Sequence, residues 1–407
     1  MADSAPRVRV APSPLNQAGL AALLLRTCWR SVAKAADQRL PALVLPDAVA
    51  AVGLNIGDVC EIFSHFAGDP EVKKRPYLRA YVEGQMVPVL ERKIWQSPID
   101  EQSPFQDWFR NVFKSEHCGL VLNRAERWGL SASQKLARWL QPRVIQEDHL
   151  RLGLEIVVFA GDYGFTPFGV HRDEPCSSVI HFNLGPNPKD IYIFEDEAKL
   201  GNLTSIKDAS RYRIAPGDGF ILPANYAHIG DAATFSVDIS CKLMFRSNEA
   251  ALAFIAAPLL DGEHDIVGGD ADLVELLLRR LGVGKRDEPI STMVEHWMTA
   301  SGCRAQSNAL FVGVPITAQA KWGENSLLKV DQAFPLVFHD REGQLTLFSR
   351  GRSFVLANNN SLLSGLELLR GSGRMQAIEL LQHSNTPRSA HDLIDFLVTS
   401  RGVTVSD

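Results

Sequence analysis

Two short segments, His171-Arg172-Asp173 and the run from Pro216 to His228, constrain this chain of 407 residues more than any other part of it. In extended backbone, side chains alternate between faces, so the imidazole of His171 and the carboxylate of Asp173, at i and i+2, project to one side and converge on one point. His228 supplies a third donor if its strand folds back beside the first. A His-x-Asp tripeptide says little by itself in a chain with 11 histidines. Its surroundings say more, because Leu154 to Ala160 reads as a buried strand and Ser178 to Leu184 alternates as a half-buried one. The second segment is the more specific. Pro216-Gly217-Asp218 is a tight turn, Gly219 to Leu222 a short apolar strand, and Pro223 with Asn225 a bend that delivers His228 to the next strand.

Two neutral imidazoles and one carboxylate leave three adjacent coordination positions open, the facial arrangement in which non-haem Fe(II) oxygenases bind a bidentate co-substrate and still admit dioxygen. The succession of Gly-Asp, apolar strand, Pro, aromatic residue and His resembles the second motif of the cupin barrel and, within it, the JmjC-type 2-oxoglutarate-dependent oxygenases. The resemblance covers about residues 150 to 248. It implies a double-stranded β-helix, Fe(II) held by the catalytic residues His171, Asp173 and His228, and 2-oxoglutarate chelating the metal through its 1-carboxylate and ketone. It also implies a cation for the far carboxylate. Hydroxylase members usually place a Lys on the strand after the His-x-Asp strand, just beyond a Gly-containing turn, and Lys189 follows Gly185-Pro186-Asn187-Pro188 here. Its offset from His171 is a few residues longer than in the family, and the bland alternative is a solvated turn lysine.

Thr166, Tyr163, Asn183 and Tyr192 are further candidates to hydrogen-bond the same carboxylate. His181 has the parity to face inward but is read as a hydrogen-bonded core residue rather than a ligand. Asp238 and Lys242 lie on the strand where other 2-oxoglutarate enzymes carry an Arg, and no Arg occurs there before Arg246. Lys189 is therefore preferred.

Composition sets the outer bounds. With 45% hydrophobic and 22% charged residues the chain is that of an ordinary soluble protein of two to four domains. A net charge of −5 argues against non-specific nucleic-acid binding, which needs a basic face to displace counterions. The six cysteines show no Cys-x-x-Cys spacing, so neither a zinc site nor a disulfide framework is indicated. Cys176 and Cys241 fall near the proposed site. No basic n-region precedes a long apolar core, and the run Gly19 to Leu25 is too short to span a bilayer, so no membrane anchor and a reducing cytoplasm are expected.

The expected fold class is α+β, a double-stranded β-helix (cupin/JmjC jelly-roll) core with helical and winged-helix-like additions. Residues 1–149 read as a mainly helical N-terminal region, with helices at Gly19–Ala36, Asn55–Phe66, Tyr77–Trp95 and Phe105–Phe113, and one beginning at Ser131. Ser103 and Ser131 are read as helix N-caps. Residues 150–248 form the barrel, with Gly161 to Gly169 as a loop over its mouth. Residues 249–335 are a helical connector with helices at Ala250–Leu260, Asp270–Leu281 and Ser291–Thr299, in the place where JmjC-type hydroxylases often form a homodimer. Residues 336–407 pair two strands, joined at Arg350-Gly351, with helices at Ser361–Leu369 and Ser389–Ser400. This order resembles the winged-helix-like domain of the ribosomal oxygenases in the JmjC group.

The function so implied is Fe(II)/2-oxoglutarate-dependent hydroxylation of an unactivated carbon in a peptide or protein, with release of succinate and CO2. Asp rather than Glu as the carboxylate ligand leans toward the hydroxylase group. Two other classes stay open: a cupin metalloenzyme that does not use 2-oxoglutarate, and a non-catalytic peptide-binding scaffold.

Overall fold

Strand pairing wraps the middle of the chain into two antiparallel sheets whose inner faces share a core. The computed structural model describes residues 42–70, 77–99, 104–144, 152–173, 177–194, 206–222, 226–245, 302–319, 321–341, 344–357, 360–384 and 387–406. The expected helices at Gly19–Ala36, Ala250–Leu260, Asp270–Leu281 and Ser291–Thr299 lie outside the described residues, as do Ser103, Cys176 and Arg246.

The larger sheet runs β1 (Leu43–Leu45), β10 (Gly219–Leu222), β7 (Ser177–Pro186), β12 (Ser236–Phe245), β5 (Leu152–Gly161), β4 (Cys118–Leu122), β2 (Leu78–Val82) and β3 (Gln85–Met86) in spatial order. The smaller runs β6 (Gly164–Phe165), β11 (Ala227–Ala232), β8 (Lys189–Phe194) and β9 (Ala209–Ile214). This is the double-stranded β-helix expected. Between the sheets Val179, Ile191, Ile193, Tyr212, Ile214, Phe220 and Leu222 form one buried cluster. Each contributes on the order of 1.5–3 kcal/mol by leaving water.

Strand β7 departs from the expected half-buried alternation, because every residue from Ser177 to Asn183 is buried. Its outer face is covered as well: the Trp139 ring of helix α5 (Leu130–Val144) meets Phe182 edge-on at 5.8 Å. Covered on both faces, the strand buries the polar Ser177, Ser178, His181 and Asn183 together with its apolar residues.

Among the described residues, the region before residue 150 is less helical than its sequence suggests. Helices α1 (Ala48–Val52), α2 (Ile56–Gly68), α3 (Pro88–Gln96) and α4 (Phe105–Phe113) do form. The first half of the expected Tyr77–Trp95 helix is instead the β2–β3 hairpin. Glu83 and Gly84 both take positive φ at its tip, the conformation of a tight hairpin turn, and Pro88 opens α3 only afterwards. The N-cap of α4 is Pro104, the residue after the expected cap Ser103. Ser131 is not a cap either. Helix α5 begins at Leu130, and the backbone N–H groups of Leu130 and Ser131 donate to the Glu61 carboxylate at 3.0 and 3.1 Å, a cap supplied from α2. Because β1 to β4 belong to the larger sheet, the boundary expected at residue 149 runs through a single hydrogen-bonded structure.

The second body holds two three-stranded sheets. One is β17 (Arg374–Gln376), β13 (Leu327–Val330), β18 (Val403–Ser406), and the other β14 (Val337–Arg341), β15 (Gln344–Ser349), β16 (Arg352–Ala357), both antiparallel. Helices α6 (Asn360–Ser372), α7 (Ala377–Gln382) and α8 (Pro387–Thr399) complete it. The expected Arg350-Gly351 turn has φ of 49° and 78°, and the Arg350 guanidinium lies 3.3 Å from the centroid of the Phe334 ring. The pairing of β13 with β17 and β18 places the start of this body upstream of residue 336. Two sheets of this kind do not by themselves make a winged helix. Among the described residues, no helix is long and apolar enough to cross a membrane.

Candidate metal centre

The candidate site starts from a single β-bridge. The His171 and His228 amides each donate to the other's carbonyl, at 3.0 and 2.9 Å, which fixes the two rings 4.2 Å apart between centroids. His171 is not part of a longer strand, and Asp173 lies just after it in irregular backbone. One donor atom from each of His171, Asp173 and His228 lies within 4.8 Å of the others.

The tautomers are set by the backbone. The Nδ1 of His171 is 3.1 Å from the Gly169 carbonyl and that of His228 is 3.0 Å from the Tyr226 carbonyl. A carbonyl only accepts, so both Nδ1 atoms carry hydrogen and both Nε2 lone pairs are left for a metal. Burial pushes the His171 imidazole below its ordinary range; burial and the neighbouring His171 push His228 down to about 4. Both rings are thus neutral at physiological pH, as ligands must be. The half-exposed Phe168 ring stands edge-on to His171 at 4.6 Å and forms part of the mouth.

Lys189, the first residue of β8, is buried and not a solvated turn lysine. Its ammonium is 4.8 Å from the Phe159 ring centroid, hydrogen-bonds Tyr163, and forms an ion pair at 3.5 Å with the Asp238 carboxylate. Burial alone would lower its basicity, but Asp238 and Tyr163 more than offset this. Asp238 is also buried, which pushes its carboxyl up. Lys189, His181 and Ser240 nevertheless hold it well below the usual carboxylate range.

Beside this pair lies Gly230, two residues beyond His228 on β11 and hence on the same inward face. A Cβ there would touch Thr166 Cγ2 at 3.4 Å and Lys189 Cε at 3.5 Å, so Gly230 keeps open the gap between them. The Thr166 Oγ1 is buried without a hydrogen-bond partner. Two neutral imidazoles and one carboxylate suit a divalent metal such as Fe(II), and the buried ammonium and unpartnered hydroxyl beside them suit an anion.

Other expected residues do different things. Asn183 Nδ2 donates to the Asn187 and Ile214 carbonyls at 3.0 and 2.9 Å, and its Oδ1 accepts from the Gly185 amide at 2.9 Å. It shapes the turn that delivers Lys189 and has no capacity left for a co-substrate. Tyr192 lies on the opposite face of β8, clustered with Val170, Phe194 and Ile229. Cys241 is buried between the inward positions 240 and 242, so it faces out of the barrel. The role of Asp238 was missed in the sequence. Its i, i+2 spacing to Ser240, opposite Asn183 and His181 in the β7–β12 register, is the signal that could have found it.

No protein-family model matches the chain, and no curated protein matches it. Among solved structures it is similar to the X-ray structure of E. coli ycfD, at 12% identity and a TM-score of 0.48, over 90% of this chain and 95% of that one. It is also similar to YcfD, a ribosomal oxygenase from Escherichia coli, in complex with cobalt and 2-oxoglutarate, at 11% identity and a TM-score of 0.46, over 93% of this chain and 98% of that one. A cupin 2 domain-containing protein from Halorhodospira halophila is similar over 34% of this chain and 72% of its own, at 11% identity and a TM-score of 0.17.

Proposed function

We propose that this chain is a JmjC-type, Fe(II)- and 2-oxoglutarate-dependent oxygenase that hydroxylates an unactivated carbon of a peptide or protein. The observation that carries the reading is the placement of His171, Asp173 and His228 within 4.8 Å, both imidazoles tied back through Nδ1, beside a buried Lys189. Overall, 2-oxoglutarate, dioxygen and a C–H bond give succinate, CO2 and an alcohol. Fe(II), when bound, supplies the activation of dioxygen, which no side chain provides.

The chain's own residues bind, orient and exclude water. His171, Asp173 and His228 hold the metal on one face. Lys189 and Thr166 take the far carboxylate, with Tyr163 fixing the lysine ammonium. Gly230 leaves the passage between metal and ammonium open, and Phe168 shields the mouth next to His171. A macromolecular substrate is favoured over a free metabolite because the chain carries a second folded body beyond what a small-molecule pocket needs. In the same reading, the second folded body serves peptide recognition, and the protein works in the cytoplasm as a homodimer.

The test is anaerobic titration of 2-oxoglutarate into protein saturated with Mn(II), followed by aerobic turnover with Fe(II). Saturable binding, with succinate formed in step with oxygen consumed, supports the reading. Metal binding without 2-oxoglutarate binding refutes it in favour of a cupin enzyme of another kind. Failure to bind metal leaves the scaffold reading.

A further inference from the structure

We infer that Asp162, whose carboxylate is occupied by Arg110 and Cys118, is a positioning residue for the far-carboxylate end of the site: it pins Tyr163 against Gly119, and Tyr163 in turn directs the Lys189 ammonium. The inference rests on the reading of the site given above. The chain leaves β5 at Gly161, which the β4–β5 ladder pairs with Gly119. Asp162 prolongs this pairing by one residue through both its main chain and its side chain. Its amide donates to the Cys118 carbonyl at 3.0 Å, its Oδ1 accepts the Cys118 amide at 3.1 Å, and its Oδ2 accepts from Arg110 Nη2 of α4 at 2.8 Å. Burial pushes the Asp162 carboxyl up, but Arg110 and the Cys118 amide more than offset this and keep it ionised. A Cβ at residue 161 would run into the Cys118 carbonyl and the Gly119 backbone, so only glycine lets the two strands approach this closely.

This staple fixes the residue that follows it. Tyr163 is buried with its ring lying on Gly119, where a Cβ would overlap Tyr163 Cδ1 and come within 3.0 Å of Cγ. Gly119 is thus a floor for the ring, and the Tyr163 hydroxyl is held where it hydrogen-bonds the Lys189 ammonium. Three residues on, the Thr166 amide donates to the Gly230 carbonyl at 2.9 Å, so the short segment that carries Tyr163 is tied down on both sides.

A lysine ammonium rotates freely on a flexible four-carbon stem, so its donors are aimed only by the acceptors around it. Without the Tyr163 hydroxyl the Lys189 ammonium would be directed by the Asp238 carboxylate alone, its ion-pair partner at 3.5 Å. The Arg110 side chain is 36% exposed, so its pair with Asp162 adds little to stability, and its loss is expected to show in the site before it shows in the fold.

The test is a double-mutant cycle of Asp162→Ala and Tyr163→Phe in the full chain, read by anaerobic calorimetric titration of 2-oxoglutarate into Mn(II)-saturated protein. Each single variant should weaken 2-oxoglutarate binding roughly tenfold with Mn(II) affinity unchanged, and the double variant should bind no more weakly than either, because Asp162 acts through the Tyr163 hydroxyl. Asp162→Asn keeps an acceptor for the Cys118 amide and loses the charge that faces Arg110; a loss of about threefold is expected, and this variant takes the alanine variant's place in the cycle if that one does not fold. Unchanged 2-oxoglutarate affinity in the Asp162 variants overturns the inference, as do losses that multiply in the double variant or that extend equally to Mn(II). Wild-type protein that binds Mn(II) but no 2-oxoglutarate overturns the functional reading itself, a result separate from these.

Discussion

Lys189 and Asp238, on strands of different sheets, form a buried ion pair at 3.5 Å across the barrel interior. Neither charge is stable there alone, so the binding of an anion and the stability of the fold are coupled through one contact. Truncating either partner strands the other, at about 3–5 kcal/mol.

Lys189→Ala is therefore expected to do two things: raise the apparent KM for 2-oxoglutarate roughly tenfold or more, and lower thermal stability. The double variant Lys189→Met, Asp238→Asn removes both charges and should recover much of the stability but none of the affinity. Thermal melts and succinate-release kinetics on both variants check this; recovered affinity in the double variant would remove Lys189 from the anion site.

Asp173→Ala and His228→Ala should each weaken Mn(II) binding by more than about 100-fold, since each deletes a ligand whose partners are already fixed. Circular dichroism should stay unchanged, because neither side chain fills the apolar core. Electron paramagnetic resonance of bound Mn(II) provides the readout.

Gly230→Val should fill the gap between Thr166 and Lys189 that the glycine leaves open. The expected outcome is a KM for 2-oxoglutarate raised by roughly tenfold or more with near-normal Mn(II) affinity, because the change lies on the anion side of His228. Equal loss of both affinities would place the obstruction at the metal instead.

Acid stability follows from the depressed carboxyl of Asp238. A group whose folded pKa lies below its unfolded value of about 3.9 contributes stability above that value and loses it as pH falls toward the folded pKa. Wild-type stability should therefore decline from about pH 4 downward. Asp238→Asn, less stable at neutral pH, should show a shallower decline in urea melts between pH 5 and pH 3. Parallel declines would show that Asp238 is not the group titrating.

The convergence of His171, Asp173 and His228 was legible because these donors follow local rules: a two-residue spacing and a Gly-Asp turn with a strand behind it. The Arg350-Gly351 hairpin and the bounds of Phe105–Phe113 were legible for the same reason. What the sequence hid depends on distant partners. Glu61 caps a helix 69 residues away, which no window around Ser131 can show. Asn183 looked like a ligand contact until the carbonyls of Asn187 and Ile214 occupied its amide. The Tyr77–Trp95 misreading had a local warning, the Gly84 and Pro88 breakers, which the apolar spacing outweighed.

The larger sheet joins Leu43 to Ile221 and Leu122 to Val158, so its edges are closed by strands that precede the metal motif by a long stretch of chain. During synthesis β1 must wait for a partner, β10, made 178 residues later, a high-contact-order closure that favours slow folding. An excised barrel beginning near residue 150 would expose the backbone edges of β10 and β5, unpaired and apolar on both faces. Such a fragment would self-associate edge to edge rather than remain a monomer. The segment before the motif thus guards the barrel's solubility as much as it shapes the fold.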